Sequence, residues 1–408
     1  MSPPPPPTSP APAQLPEDLI CCCILPRLPV RSLARFATVC RAWRDLILRN
    51  AVFATLQAQS PSPASTALAR FHNGRLEVLT PGAAAYVAPT DTSLSFLTAR
   101  AGYHRLELCA CAGGLLCLTA QQTTTHLPVF YVGNLATHRF HRIGYGCPRG
   151  VAGLAYDPAA PARGYDVVVA ATHGMQTCRF FRFSSRAAGS GWRSARDRAR
   201  LLAPFEVIQR KPAYAGGRLH WLTDRGNVVW HDVASELSGT LQPPRPSDGH
   251  HLQGNMDLAA WRGRVRLACA TGAGLGVWEL ASYGGGKAGE SAAARWELVH
   301  WRSWCAIPGV AGPERCFLWS VVPAGMEAGG EEALGLALRY AHTTRLVDVG
   351  GMAMEQDVWC RVLARYETCT GVTAAAVVLS GKEVHDYFGT VFSYHSSLAP
   401  LPCLNMDA

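Results

Sequence analysis

At roughly 150 residues per domain, a chain of 408 residues allows two or three units or one large β architecture. Apolar residues make up 48% and charged residues 16%, enough for an extensive core and inconsistent with wholesale disorder. The net charge of +9 is nearly all arginine, spread without a dense run or interleaved aromatic motif, so no nucleic-acid partner is expected.

The longest apolar stretches, 19–25 and 372–379, fall far short of the roughly 18 residues that span a bilayer. No membrane segment is expected. The first ten residues have neither a basic nor an apolar signal region, so an intracellular protein, in cytoplasm or nucleus, is expected. The cysteines are mostly scattered singly and no CxxC occurs, which predicts reduced, mostly buried thiols and no metal or other cofactor.

Residues 1–14 are Pro-rich and read as a disordered tail. At Leu15-Pro16-Glu17-Asp18, a proline at a helix start and acids in the first turn predict a helix. It should stop near Leu25, because Pro26 cannot continue an α-helical ladder. Beyond Pro29, Ser32 is the expected N-cap of a second helical stretch. Leu33, Phe36, Cys40, Trp43 and Ile47 form its apolar stripe, at spacings of three and four. About 40 helical residues cannot bury so many large side chains alone, so a partner surface is expected.

The run LPEDLICCCILPRLPVRSLARFATVCRAWRDLI resembles the F-box. The match carries Leu15, Pro16, Leu19, Ile24, Leu25, Arg27, Leu28, Pro29, Ser32, Leu33, Arg35, Phe36, Val39, Cys40 and Trp43. The resemblance implies three helices over 15–56 that bind a Skp-type adaptor, and through it a cullin-RING assembly. It implies Leu15, Pro16, Leu19, Ile24, Leu28, Pro29, Leu33, Phe36, Val39 and Trp43 as adaptor-binding residues. The sequence departs from the pattern in the first helix, with one residue too many between Leu19 and Ile24 and cysteines where a glutamate is common. An extra residue rotates later side chains by about 100 degrees, so a bulge or shifted helix start is expected to absorb it, at some cost in adaptor affinity.

Residues 57–66 are polar and Pro-interrupted and read as a linker. From 67 to 398 the chain is a series of short β-prone runs, among them 114–118, 129–132, 165–169, 178–183, 218–222 and 228–231. Glycines start these runs at Gly114, Gly164, Gly217 and Gly263, about 50 residues apart, a period that suits kelch-like blades of four strands. A second phrase ends an apolar run on Asn134, Asp232 or Asp348, whose side chain should cap a turn. Two Gly/Ala-rich stretches, 282–294 and 323–332, read as inserted loops, and 399–408 as a tail.

The phrases AGGLLCL, GLAYDPAAPARGY, CRFFRFSS, AGGRLHWLTDRGNVVWHD and GVWEL, in this order behind an F-box, resemble the F-box-associated propeller of plant F-box proteins. The expected fold is thus a small all-α F-box of three helices, followed by an all-β propeller-like domain of about six or seven blades. A two-sheet sandwich is the alternative.

No catalytic motif is complete. Gly284 to Lys287 lacks the spacing and hydroxyl of a phosphate loop, and His138, His141, His250 and His251 stand without HExxH or GxSxG. Asp157, Asp224 and Asp232 do not establish the paired carboxylates of a glycosidase. Trp221, Trp230 and Trp278 read as core, whereas Trp301 and Trp304 are the candidate target-binding aromatics. The resemblance implies a non-catalytic substrate receptor of an SCF-type ubiquitin ligase that holds a target protein. The alternative is a non-ligase propeller, binding a protein or glycan, with a degenerate F-box. Lysine occurs only at Lys211, Lys287 and Lys382, which reads either as codon bias or as scarcity of acceptor amines beside a ubiquitin-transferring enzyme.

Overall fold

The computed structural model describes residues 15–60, 66–72, 75–81, 86–92, 94, 97, 103–122, 128–143, 149–187, 191–209, 211–244, 256–261, 263–271, 273–283, 294–303, 316–326, 332–349, 352–367, 373–379, 391–395, 397–399 and 401. The Pro-rich tail, most of the inserted loops, His250, His251, Gly284 to Lys287 and Trp304 lie outside the described residues.

The first helix is composite. A single α turn, α1 (Glu17–Leu19), widens into a π turn over Ile20–Ile24 and tightens into a 3-10 turn over Leu25–Arg27. The π turn coincides with the extra residue, and its wider ring absorbs an insertion without breaking the helix. Pro26 falls at the start of the 3-10 turn, where its missing N–H leaves no hydrogen bond unmade.

The next helical stretch is two helices rather than one. Helix α2 (Val30–Phe36) starts from Pro29, three residues earlier than a Ser32 cap would place it. Cys40 is extended and its Sγ accepts from Trp43 N at 3.4 Å, so α3 (Arg41–Arg49) begins as a separate helix. Asn50 Oδ1 accepts from Val52 N and Phe53 N at 2.9 and 3.0 Å and caps α4 (Ala51–Gln59), which runs three residues beyond position 56. Leu25, Leu33, Ala37, Ile47 and Phe53 form the small core of this module.

The described residues beyond it form six four-stranded antiparallel sheets. Blade 1 pairs Val391–His395 with Thr66–His72, Arg75–Pro81 and Tyr86–Thr92. Blade 2 comprises Tyr103–Ala112, Leu115–Gln122, Pro128–Asn134 and Arg139–Ile143. Blade 3 comprises Val151–Tyr156, Tyr165–His173, Thr177–Ser184 and Arg193–Arg200. Blade 4 comprises Ala213–Ala215, Arg218–Leu222, Val228–Asp232 and Ser238–Leu241. Blade 5 comprises Met256–Trp261, Arg264–Ala270, Gly274–Ser282 and Arg295–Ser303. Blade 6 comprises Cys316–Met326, Glu332–Val349, Met352–Glu367 and Thr373–Leu379.

From blade 2 to blade 6, the first strand of each blade touches the first strand of the next. The last of these, Cys316–Met326, meets Val391–His395 of blade 1, which itself meets Tyr103–Ala112. The sheets therefore close into a ring, a six-bladed propeller, with both ends of the chain sharing blade 1.

The glycine period and the blade period are the same feature. Gly114, Gly164, Gly217 and Gly263 each stand just before the second strand of blades 2 to 5, with φ of 87, 71, 79 and 74°. The turn needs a left-handed residue, and glycine adopts that conformation without a Cβ penalty. Asn134 and Asp232 cap the turn after the third strand of their blades. Asn134 accepts from Ala136 N at 2.8 Å, and Asp232 from Ala234 N and Ser235 N at 3.1 and 2.9 Å.

Packing between blades supplies the core. Phe180, Cys178, Leu219, Trp221 and Val229 fill the space between blades 3 and 4. Leu222, Val228, Leu258, Leu267 and Trp278 fill that between blades 4 and 5. Trp221 and Trp278 are core, as expected, whereas Trp230 is only half-buried, with Arg218 lying 5.2 Å from its ring centre. Of the cysteines whose side chains are described, all are free thiols, and Cys117, Cys178 and Cys269 are buried while Cys22, Cys23 and Cys40 lie exposed on the helical module.

Candidate functional site: two opposed surfaces

A propeller has two faces. The turns from first to second and from third to fourth strand share one face, and the second-to-third turns and blade crossovers share the other. The helical module sits on the first. Gln59 Nε2 donates to the carbonyls of Pro158 and Ala159 at 3.3 and 3.4 Å, in the first turn of blade 3. Ala136, in the third-to-fourth turn of blade 2, packs against the helical core.

Between module and ring runs the segment after the last strand. Leu398 N donates to the buried Gln57 Oε1 at 2.6 Å, and Leu398 joins the helical core. Asn134 Nδ2 donates to the carbonyls of Ser397 and Ala399 at 3.0 and 2.9 Å, and Ser397 Oγ to Gly113 O at 3.4 Å. Ala399, the first residue of the stretch expected to be a tail, is fully buried among blade 2 and 3 side chains, together with Ala58 of α4. The segment after the last strand thus clamps the helical module to the ring through Asn134.

Several apolar residues of the module are exposed to solvent. Leu15, Pro16, Leu19, Ile24 and Val39 are exposed, Leu15 and Val39 by 60% and 65%. Leu28, Pro29, Phe36 and Trp43 are half-buried, with the Phe36 and Trp43 rings edge-on at 5.6 Å. Leu33 is fully buried in the module's core. Exposed Leu48 and Val52, which the motif did not single out, add to the apolar surface, and Arg31, Arg35, Arg41 and Arg44 are also exposed. Exposed apolar side chains in this number mark an interaction site or a liability.

The candidate chemical residues lie in turns, hydrogen-bonded pairs and the core. His138 is exposed in a turn with φ 52°. His141 Nδ1 lies 3.3 Å from Tyr165 OH, and burial lowers its pKa. Asp157 accepts from Ala159 N, Asp224 from Val207 N, and Asp232 from Arg218 Nε at 3.0 Å. His220 is buried; its Nδ1 donates to Ala213 O, which leaves Nε2 to accept from Tyr283 OH at 2.7 Å. Burial pushes its pKa down to about 4. Among the described residues no group of three or more His, Cys, Asp or Glu could hold a metal ion. No described helix is long and apolar enough to cross a membrane. Trp301 is 40% exposed on the outer strand of blade 5, paired with Gly276 and remote in the fold from the helical module.

Residues 13–56 match the family model described as F-box-like. No curated protein matches the chain. Similar solved structures include one from a nidogen/laminin complex, at 11% identity and TM-score 0.43, covering 81% of this chain and 99% of that one. YCF48 from Cyanidioschyzon merolae has 8% identity and TM-score 0.38, covering 78% and 97%. A putative TolB from Agrobacterium tumefaciens has 10% identity and TM-score 0.36, covering 82% and 93%. The propeller assignment stands on the closed ring of sheets itself. The chain therefore carries an F-box-like domain at its N-terminus, ahead of a domain of four-stranded antiparallel blades.

Proposed function

We propose that this protein is a non-catalytic substrate receptor of an SCF-type ubiquitin ligase, of the class found in plant F-box proteins, working in the cytoplasm or nucleus. The F-box-like module binds a Skp-type adaptor, and the propeller holds a target protein for ubiquitination and degradation. The observation that carries this reading is the exposed apolar surface of Leu15, Leu19, Ile24 and Val39 on a module that matches the F-box model. Leu33 and the Phe36–Trp43 pair hold that surface in shape. Held to the ring by the clamp, the module works by proximity, raising the target's effective concentration beside a charged enzyme.

The receptor reading makes the few lysines relevant as acceptor amines. Lys211 is buried and ion-paired with Asp257, and burial lowers its pKa, so self-modification falls to Lys287, Lys382 or the chain terminus. A pull-down with a purified Skp-type adaptor tests the proposal: the intact chain should be retained and Val39→Asp should not. A folded wild-type chain that fails to bind would overturn it in favour of a propeller that binds a protein or glycan without a ligase.

A further inference from the structure

The propeller face opposite the helical module carries a small apolar platform that the sequence did not suggest. Met175, Phe205 and Val207 are 61%, 72% and 55% exposed. Met175 belongs to the second-to-third turn of blade 3, and the other two to the crossover from blade 3 to blade 4. They are neighbours, because Phe205 N donates to Met175 O at 2.8 Å.

The platform is built rather than loose. Between the two outward side chains, Glu206 turns inward and is fully buried. Its carboxylate accepts from Ala203 N at 3.1 Å, from Asn227 Nδ2 at 2.7 Å and from the Thr223 hydroxyl. Val207 exchanges two bonds with Asp224, each of 2.9 Å, and Gln209 N donates to Leu222 O at 2.7 Å. Phe205 is held at φ 58°, a conformation that a bulky side chain rarely adopts and that tends to persist at functional positions. The crossover thus presents two apolar side chains to solvent on a fixed backbone.

Arginines outnumber acids around it. Arg198 and Arg200 are exposed on the outer strand of blade 3, and Arg225 on the neighbouring turn of blade 4. Arg200 is paired across the sheet with Thr177, two residues from Met175. The two nearby acids are held by backbone amides: Asp224 accepts from Val207 N, and Asp197 from Ser238 N and Arg198 N. Arginines on an edge strand also protect it from pairing with other strands, but that role leaves the exposed platform at the end of the row unexplained.

We propose that Met175, Phe205 and Val207, flanked by Arg198, Arg200 and Arg225, dock an acidic segment of the target protein through one bulky apolar anchor. The proposal rests on the receptor reading and names the chemistry of its target. Three apolar side chains suit one anchor of a linear segment rather than a broad globular interface, and the arginines select acids beside it.

The test uses the intact chain and a phage-displayed library of random 12-residue peptides. Selected peptides should combine a Leu, Ile, Met, Phe or Trp with two or more nearby Asp or Glu. A synthetic copy should bind at least tenfold more weakly to Phe205→Gly and to the double variant Arg198→Glu/Arg200→Glu. Glycine is relaxed at a positive φ, so Phe205→Gly removes the ring without a folding cost and separates binding from stability. Peptides with no acidic bias, selection unchanged on Phe205→Gly, or self-association of the chain through this patch would each overturn the proposal. Adaptor capture measured in parallel keeps the two readings apart: Phe205→Gly should leave it unchanged, and its loss in the wild type would sink the receptor reading while leaving the peptide result to stand or fall alone.

Discussion

In the helical module Leu15, Leu19, Val39, Leu48 and Val52 are exposed by 44% to 69%, whereas in blades 3 and 4 Phe180, Phe183 and Trp221 are at most 1% exposed. Both regions are rich in large apolar residues, so composition does not explain the contrast; closure does. From blade 2 to blade 5, each blade finds the complement of its apolar faces in the next. The module has one small core, joined by Leu398 and Ala136, and leaves several large apolar side chains in solvent. Mutations should therefore act as stability changes in one region and as binding changes in the other.

The largest effect is expected where blades meet. Trp221 packs against Phe180 at 5.6 Å between ring centres, and Trp221→Ala should cost about 3–5 kcal/mol through lost burial and the cavity left behind. Urea unfolding followed by tryptophan fluorescence measures it. A loss below about 1 kcal/mol would mean that the ring is not held together by interblade packing.

Acid should discriminate between the regions next, because 15–60 contains no histidine while blade 4 buries two. His231 stacks on Phe180 at 4.6 Å with Nδ1 2.9 Å from Ser238 Oγ. Burial lowers the pKa of both His220 and His231 from 6.5 to about 4. The unfolded chain then takes up protons first as the pH falls. Stability is full above about pH 6.5 and is lost toward pH 4, by up to about 3 kcal/mol per histidine. Comparing urea midpoints at pH 7.5 and 4.5 for the wild type and for His220→Gln/His231→Gln isolates this part from the carboxylates, and equal pH dependence in the two proteins would refute it.

The clamp joining the two regions should respond more mildly. Asn134→Ala removes bonds to Ser397 O, Ala399 O and Ala136 N, worth about 2 kcal/mol together. The more telling readout is local: limited proteolysis should cut near 60–65 faster than in the wild type, with the blades still intact.

What is legible in the sequence follows the same division. The glycines before the second strands and the run from Leu28 to Trp43 can be read because turn conformation and helical spacing are local demands on residue type. The insertion after Leu19 is visible as well, and the π turn over Ile20–Ile24 is its local resolution. The single stripe through Leu33 and Ile47 suggests one helix where there are two, because periodicity does not register the extended Cys40 that splits it. The clamp is not legible: Asn134 and Ser397 are joined across 263 positions, and a turn-capping asparagine gives no sign that its amide nitrogen is engaged elsewhere. Nor is the platform, since Phe205 and Val207 look like core residues until the inward turn of Glu206 is seen.

The smallest effect on stability should accompany the largest effect on partnership. Val39 is 65% exposed in the turn between α2 and α3 and belongs to no packed cluster among the described residues. Val39→Asp should therefore change unfolding free energy by no more than about 0.5 kcal/mol, yet place a charge in the middle of any apolar partner surface, where its desolvation goes unrepaid. Adaptor affinity measured by calorimetry should fall at least tenfold. Leu33→Ala gives the inverse pattern: a cost of about 2–5 kcal/mol in the module's core, with affinity lost only in proportion to the fraction unfolded. If Val39→Asp unfolds the module while adaptor binding survives in the folded fraction, the apolar surface is packing that the blades complete rather than a surface kept open for a partner.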